Sequence, residues 1–170
     1  MADAPLPTES RLGSPGRASQ AALLAGFAAA MGELVPVLLV QILLQNPIVR
    51  VFQAIASGLL GRAAYAGGLE TAALGALLHL GISMGAAHIF VFAALRWRSL
   101  IDQPILSGLG FGVLVWFVMS YLVVPLSAAP FPPASGVGMI AMSILIHMLA
   151  FGVPIAFVSR WQLSLVDDFG

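Results

Sequence analysis

The chain has 170 residues, of which 60% are hydrophobic and 8% are charged, and its formal net charge is zero. Soluble domains carry about 25% charged residues, so this chain has too few to cover a water-facing surface. The balanced charge offers no basic surface for nucleic acid. The absence of cysteine excludes disulfides and thiolate metal sites. These properties predict an all-α protein of one domain in a lipid bilayer.

The first 20 residues are polar and rich in proline, and we expect a disordered tail there. The apolar run over residues 21–44 begins too late and lasts too long for a cleaved secretory signal, so it predicts a retained first span. Pro36 lies inside this run. Because proline has no N–H, the Gly32 carbonyl loses its helical donor and a kink is expected.

Residues 47–64 are too polar to span a membrane, and their apolar and polar side chains separate onto two sides of a helix. The apolar side holds Ile48, Phe52, Ile55 and Leu59, and the other holds Arg50, Gln53, Ser57 and Gly61. This pattern predicts an amphipathic helix lying in the interface, with its apolar side in lipid or on the bundle. A re-entrant hairpin around residues 55–58 is the alternative.

Three further apolar segments are long enough to cross a hydrocarbon core about 30 Å thick, which takes roughly 20 helical residues. They cover residues 69–95, 104–124 and 136–159, and a short tail follows at residues 161–170. Arginine and tryptophan follow the second span of the chain (69–95) and the fourth (136–159), as is typical of membrane boundaries. We therefore predict four transmembrane helices and one interfacial helix.

The arginines near the span ends predict the orientation. Five arginines fall on one side and two on the other: Arg11, Arg17, Arg96, Arg98 and Arg160 against Arg50 and Arg62. Both termini are therefore expected in the cytoplasm.

Three ionisable side chains fall at the same depth in three different spans. Glu33 in the first span, His79 in the second and His147 in the fourth each lie about 15–17 Å from the outer span end, close to the midplane. Ionisable groups at that depth are costly, so they usually face the protein interior and have a partner. These three residues are the candidate functional cluster.

Three hypotheses account for this cluster. It could exchange protons or ions, because burial opposes the charged form of a carboxyl and of an imidazole. His79 and His147 could ligate a haem. The third hypothesis is structural, with interhelical hydrogen bonds worth about 0.6 kcal/mol each. We find no metal-ligand spacing and no enzyme motif, and we expect neither a cofactor nor catalysis.

Small residues on the spans predict close helix packing. The candidates are Gly75, Gly81, Gly85, Gly108 and Gly112. Gly81 and Gly85 share a side of the second span with His88, opposite His79, so two packing faces and a central position are expected for this span. Such faces would also suit a homo-oligomer or a larger membrane complex.

The chain resembles a group of small bacterial inner-membrane proteins of unknown function. The resemblance lies in IASGLLGRAAYAGGLETAALGALLH (residues 55–79), VVPLSAAP (123–130) and LIHMLAFGVPIA (145–156), within a pattern of spans over residues 20–160. More distantly, the layout is similar to YagU-like inner-membrane proteins, which are linked to acid tolerance. The resemblance implies a multi-pass protein of the bacterial inner membrane and brings no catalytic residues.

The sequence alone favours a non-catalytic packing or accessory component of a membrane assembly. A small transporter or proton-handling protein that uses Glu33, His79 and His147 is the alternative, and a haem-binding protein is the third reading.

Overall fold

The computed structural model describes residues 15–131 and 136–164, which form six helices and no strand. The helices are α1 (Pro15–Leu43), α2 (Val49–Leu60), α3 (Gly68–Arg96), α4 (Ser99–Asp102), α5 (Pro104–Leu126) and α6 (Val137–Ser164). A short 3₁₀ helix, Gly61–Ala66, links α2 to α3.

Four of these helices, α1, α3, α5 and α6, are long and apolar enough to cross a membrane. Large apolar side chains point outward along them, for example Val35 at 67% exposure and Leu106 at 67%. Such a surface is stable in a hydrocarbon environment and not in water. The predicted class, an all-α multi-pass membrane protein, is therefore confirmed.

Neighbouring spans run antiparallel. The contact between Gly26 and Met84 pairs α1 with α3, and the contact between Gly112 and His147 pairs α5 with α6. Arg17, Arg96 and Arg160 consequently lie at one end of the bundle, which we call the arginine-rich end. Helix α2 and the loop after α5 lie at the other, the α2 end.

The arginine-rich end is the closely packed half of the molecule. Its core joins alanines of α1 to the last turns of α3 and α6: Ala18, Ala21, Ala22, Ala25, Ala29, Ala87, Phe90, Val91, Ala94, Ile101, Phe151, Ile155, Ala156 and Leu163. Alanine and glycine let helix backbones approach closely, which is the main source of packing energy where lipid replaces water.

Helices α5 and α6 touch backbone to backbone through glycine. A Cβ atom on Gly112 would lie 2.6 Å from the Cα of Met148, and one on Gly108 would lie 2.7 Å from the Cα of Val153. Gly152 lies against Gly108 from the α6 side. A side chain at any of these positions would push the two spans apart.

Each of these two helices contains a turn of π-helix, at Met119–Val123 in α5 and at His147–Gly152 in α6. A proline follows each turn at the second position, Pro125 and Pro154. A proline removes the regular i→i−4 donor, and a π turn accommodates one extra residue by i→i−5 bonding. The sequence analysis predicted a kink at Pro36 in α1 and did not predict the change of helix type in α5 and α6.

Helix α2 places its polar side against the protein. Gln53 and Ser57 are buried, and Gln53 donates a hydrogen bond to the Gly68 carbonyl at 3.1 Å. Leu59, on the apolar side, is 63% exposed. Phe52 and Ile55, also on the apolar side, are half-buried, so this side faces partly outward and partly onto the bundle. The predicted helix over 47–64 is also shorter, ending at Leu60.

Several span ends differ from the predicted ones. Residues 15–20, assigned to a disordered tail, are helical, and Ala18 is buried against the bundle. Helix α6 continues to Ser164, into the expected tail. The remainder of the two predicted tails, residues 1–14 and 165–170, lies outside the described residues.

Within this chain, helix α3 is packed on one of the two faces that the sequence predicted, and the second predicted face is uncovered. A Cβ on Gly75 would collide with the backbone of Phe52 in α2. A Cβ atom added to Gly81 or Gly85, on another side of α3, would have no neighbouring atom within 4 Å. Helical spacing predicted which residues share a face, but it could not say whether a neighbour covers that face.

We expect Gly112→Ala to lower stability and Gly85→Ala to leave it nearly unchanged. The first methyl group meets the backbone of α6, and overpacking of this kind costs about 1–3 kcal/mol. The second projects into open space. Thermal unfolding in detergent, followed by tryptophan fluorescence, measures both. Equal midpoints for the two variants would contradict the observed α5–α6 contact.

Candidate functional site

Glu33 and His147 meet between α1 and α6. The Nε2 atom of His147 lies 3.3 Å from Oε1 of Glu33, and the two side chains are only 17% and 14% exposed. The equal depths predicted from the sequence therefore correspond to a direct contact for two of the three candidate residues.

The other ring nitrogen of His147 determines how this contact can work. Nδ1 lies 2.9 Å from the backbone carbonyl oxygen of Ser143, one helical turn earlier. A carbonyl oxygen can only accept a hydrogen bond, so Nδ1 must carry the hydrogen. In the neutral imidazole, Nε2 is then an acceptor that faces the Glu33 carboxyl group.

This geometry gives the pair a place for one proton. A protonated Glu33 donates to neutral His147, or an ionised Glu33 accepts from an imidazolium, and both forms are neutral overall. With the proton removed, an imidazole lone pair would face a carboxylate with no hydrogen between them. The contact is therefore stable only while it holds a proton.

Ser143 and Trp116 extend the site to α5. The indole Nε1–H of Trp116 donates to the Ser143 hydroxyl at 3.1 Å, and the Trp116 side chain is buried. Ser143 thus accepts from Trp116 through its hydroxyl and from His147 through its carbonyl. One residue of α6 consequently links the orientation of the imidazole to the neighbouring span.

The residue next to Glu33 permits the close approach of α6. A Cβ on Gly32 would lie 2.5 Å from the carbonyl oxygen of Ala150 and 3.7 Å from Cγ of Pro154. His147 is also the first residue of the π turn, which changes the direction of side chains along α6. Sequence reasoning missed Gly32 and Trp116, because neither has an ionisable side chain.

His79 is held separately from this pair. Its Nε2 atom donates to the carbonyl oxygen of Ala30 at 3.1 Å, which ties α3 to α1 one turn before Glu33. Ser83, buried in α3, donates to the His79 carbonyl at 2.8 Å. His88 bonds to its own helix, through Nδ1 and the carbonyl of Met84, at 2.8 Å.

All three candidate residues nevertheless line one space. We call it the central cavity. It has a volume of about 510 Å³, and its wall combines Glu33, His79 and His147 with serines of α3, α5 and α6 and with apolar side chains of α2. A volume of this size is typical of small-molecule sites.

A second space, the side cleft, begins at the same pair and leads toward the α2 end. It has a volume of about 460 Å³ and runs between α1 and α6 from Glu33 and His147 to Gln41 and Leu44. Gln41 and Glu33 are eight residues apart, or about 12 Å along the helix. The pair thus lies on a path that begins near one end of the bundle.

Toward the arginine-rich end, the central cavity is closed. On the arginine-rich side of His79, Gly26 of α1 lies against Met84 of α3. A Cβ atom added to Gly26 would lie 2.6 Å from the Cα of Met84. The alanine-rich core of the arginine-rich end follows directly. Along the bundle axis, the candidate site is therefore open toward the α2 end and closed toward the arginine-rich end.

The arrangement does not suit a metal or a haem. Among the described residues, no group of three histidine, aspartate or glutamate side chains is close enough to hold a metal ion. Both nitrogens of His147 have partners, whereas a haem ligand needs one nitrogen free for iron.

Comparisons with known proteins give no relative from which a role could be transferred. No protein-family model, no curated protein and no solved structure matches the chain.

We expect His147 to carry its hydrogen on Nδ1 and His79 to carry it on Nε2 when both rings are neutral, because each of these nitrogens faces a carbonyl oxygen. Nitrogen NMR of histidine-labelled protein distinguishes the two tautomers. The chain has three histidines, so single His→Gln variants assign the signals. An unprotonated Nδ1 at His147 would contradict the proton-sharing geometry.

Proposed function

We propose that the chain is a non-enzymatic, proton-coupled carrier in which the Glu33–His147 pair takes up and releases a proton. The observation that carries this proposal is the position of the pair. Its two titratable groups are close enough to share one proton, and they line both the central cavity and the side cleft.

The energetic balance supports this role over a purely structural one. A hydrogen bond between membrane helices contributes about 0.6 kcal/mol on average. Placing an ionisable side chain at the centre of a span costs about 2.5–3.5 kcal/mol on insertion scales. The contacts of α1 with α3 and of α5 with α6 are made by small apolar residues, so packing does not require the acid.

The one-sided access supports a carrier in particular. Carriers bind their cargo near the midplane and expose it to one side at a time. Here the α2 end is open to the midplane, and the arginine-rich end is closed by packed alanines and glycines. We infer that this conformation is one of two between which a carrier would alternate.

We further propose that the chain belongs to a bacterial inner membrane, with both termini in the cytoplasm. The resemblance to small inner-membrane proteins, distantly YagU-like ones, supports the location. The arginine distribution supports the orientation: Arg17, Arg96, Arg98 and Arg160 share one end, and Arg50 and Arg62 the other. On this view the open α2 end faces the periplasm.

The proton-binding step is tested by infrared difference spectroscopy of the purified protein between acidic and alkaline pH. We expect acidification to add either a protonated-carboxyl band or the bands of an imidazolium beside an ionised carboxylate, and Glu33→Gln should remove this change. Glu33→Asp should keep a band at a shifted position, because it retains a carboxyl group. His88→Gln, a histidine that bonds only to its own helix turn in the described hydrogen bonds, should leave the Glu33 band unchanged.

Size-exclusion profiles would show whether each variant remains folded. If wild type and folded Glu33→Gln gave the same difference spectrum, Glu33 would not titrate and the carrier proposal would fail.

A second candidate function, a component of a membrane assembly, is favoured by one specific observation. Gly81 and Gly85 form an uncovered small-residue surface on α3, flanked by Leu77 at 67% exposure and Ile89 at 67%. Small residues in that position let another transmembrane helix approach closely. This role is compatible with proton coupling, since the surface and the cavity are separate.

If this surface is an interface, Gly85→Leu should dissociate the assembly while the monomer stays folded. The native mass after mild solubilisation measures this. Gly138→Leu is the matched control, because an added Cβ there also meets nothing within 4 Å and the position belongs to another helix. A native mass that both variants leave unchanged would rule out an interface at Gly85.

A further inference from the structure

We propose that the central cavity binds a lipophilic organic monocation, which replaces the proton at Glu33. This inference rests on the proposed function and adds the class of its cargo. The charge, the polar groups and the shape of the central cavity support this assignment.

The charge of the cavity selects a single positive charge. Glu33 is the one acid among the described residues that line it, and no arginine lines it. With its proton, the Glu33–His147 pair is neutral; without it, the pair carries one negative charge. An unpaired charge in the membrane interior is costly, so one cation restores the balance that the proton provided.

Every titratable group that faces Glu33 is consistent with this balance. Helix α6 contributes His147 and helix α3 contributes His79, both of which are neutral when unprotonated. The walls from α2 and α5 contribute Val51, Ile55, Val115, Met119, Ser120 and Val124, none of which titrates. An anion would therefore meet only the carboxylate and gain no cationic partner.

The polar groups are too few for an inorganic ion. Na⁺ and divalent ions need a shell of several oxygen ligands. Apart from Glu33, the oxygen-bearing side chains of the cavity are Ser83, Ser120 and Ser143, and the hydroxyl of Ser83 already donates to a backbone carbonyl. A cation that carries its own apolar surface does not need such a shell.

The shape provides room for that apolar surface. An apolar pocket of about 280 Å³ adjoins the central cavity, and side chains common to both walls are Ile55, Ile82, Met119, Val124 and Phe131. Phe151 also lines the central cavity, so two aromatic rings are available to a cation, and ring faces attract positive charge. Aryl or alkyl groups of the cargo would occupy the pocket while the charge stays near Glu33.

The exchange conserves charge. The cation enters as the Glu33–His147 pair releases its proton, so the occupied site remains neutral and one proton appears in solution for each cation bound. By linkage, protons compete with the cation. At pH values where the empty pair still carries its proton, the affinity for the cation should rise about tenfold for each unit by which the pH is raised.

Tetraphenylphosphonium and tetraphenylborate make a matched pair of probes, because they share one shape and differ in the sign of charge. We expect purified full-length protein to bind tetraphenylphosphonium in equilibrium dialysis and to release about one proton, read by an indicator dye in weak buffer. Glu33→Gln should weaken binding at least tenfold and abolish the release. Glu33→Asp should restore part of both.

A pocket variant tests the apolar contribution separately. Ala54 lines the apolar pocket, so Ala54→Leu should weaken tetraphenylphosphonium binding several-fold without changing the infrared titration of Glu33. Ala73→Leu, on an exposed position of α3, is the control and should bind as wild type does.

The outcomes separate the two proposals. A Glu33 that titrates in the infrared while tetraphenylphosphonium does not bind would overturn the cation inference and leave the carrier proposal intact. Binding that is equal for the borate, or unchanged in Glu33→Gln, would also overturn the inference. A Glu33 that does not titrate would overturn the carrier proposal itself.

Discussion

The candidate site depends on the contact between Glu33 and His147, because a carboxyl group inside a bilayer must have its charge compensated. Several unrelated features converge on this contact. Gly32 lets α6 approach, the Ser143 carbonyl fixes the ring hydrogen on Nδ1, and the π turn begins at His147. None of these features is needed for four helices to pack. Together they hold the Nε2 lone pair of His147 against the Glu33 carboxyl group. The site is therefore stable only when one proton lies between the two groups.

The two halves of the bundle differ in how they are filled. Toward the arginine-rich end, alanines of α1 bring α3 and α6 close together, and Phe90 packs edge-on against Phe111 at 5.1 Å between ring centroids. Toward the α2 end, larger side chains and the short helix α2 leave the central cavity, the side cleft and the apolar pocket between the spans. The polar residues lie at the boundary between these halves. A midplane site that is closed on one side follows directly from where the small residues occur along the chain.

The sequence predicted the helices and the depth of the polar cluster, but not the neighbours of each face. Hydropathy and length are enough to locate spans, and a rise of about 1.5 Å per residue places Glu33 and His147 at one level. The face of Gly81 and Gly85 and that of Gly75 looked equally suited to packing, yet only Gly75 is covered within the chain. The π turns escaped prediction because helical-wheel arithmetic assumes 3.6 residues per turn. The burial of Gln53 escaped it because amphipathic patterning does not say which side faces the protein.

The arginine-rich end combines close packing of small residues with one directional polar bond. In lipid, separating two helices exposes side chains to hydrocarbon, so little hydrophobic free energy is lost and the cost is mainly lost van der Waals contact. Alanine and glycine make such contact possible by letting the helix backbones approach closely, as at Gly26 and Met84 and along the alanines of α1. The bond from His79 to the Ala30 carbonyl is the one directional interaction between α3 and α1 at this level among the described hydrogen bonds. Breaking it frees a polar group inside the membrane, which costs more than parting two methyl groups. The polar bond therefore fixes how α3 pairs with α1 at this level, while the small residues supply the close contact between the two helices.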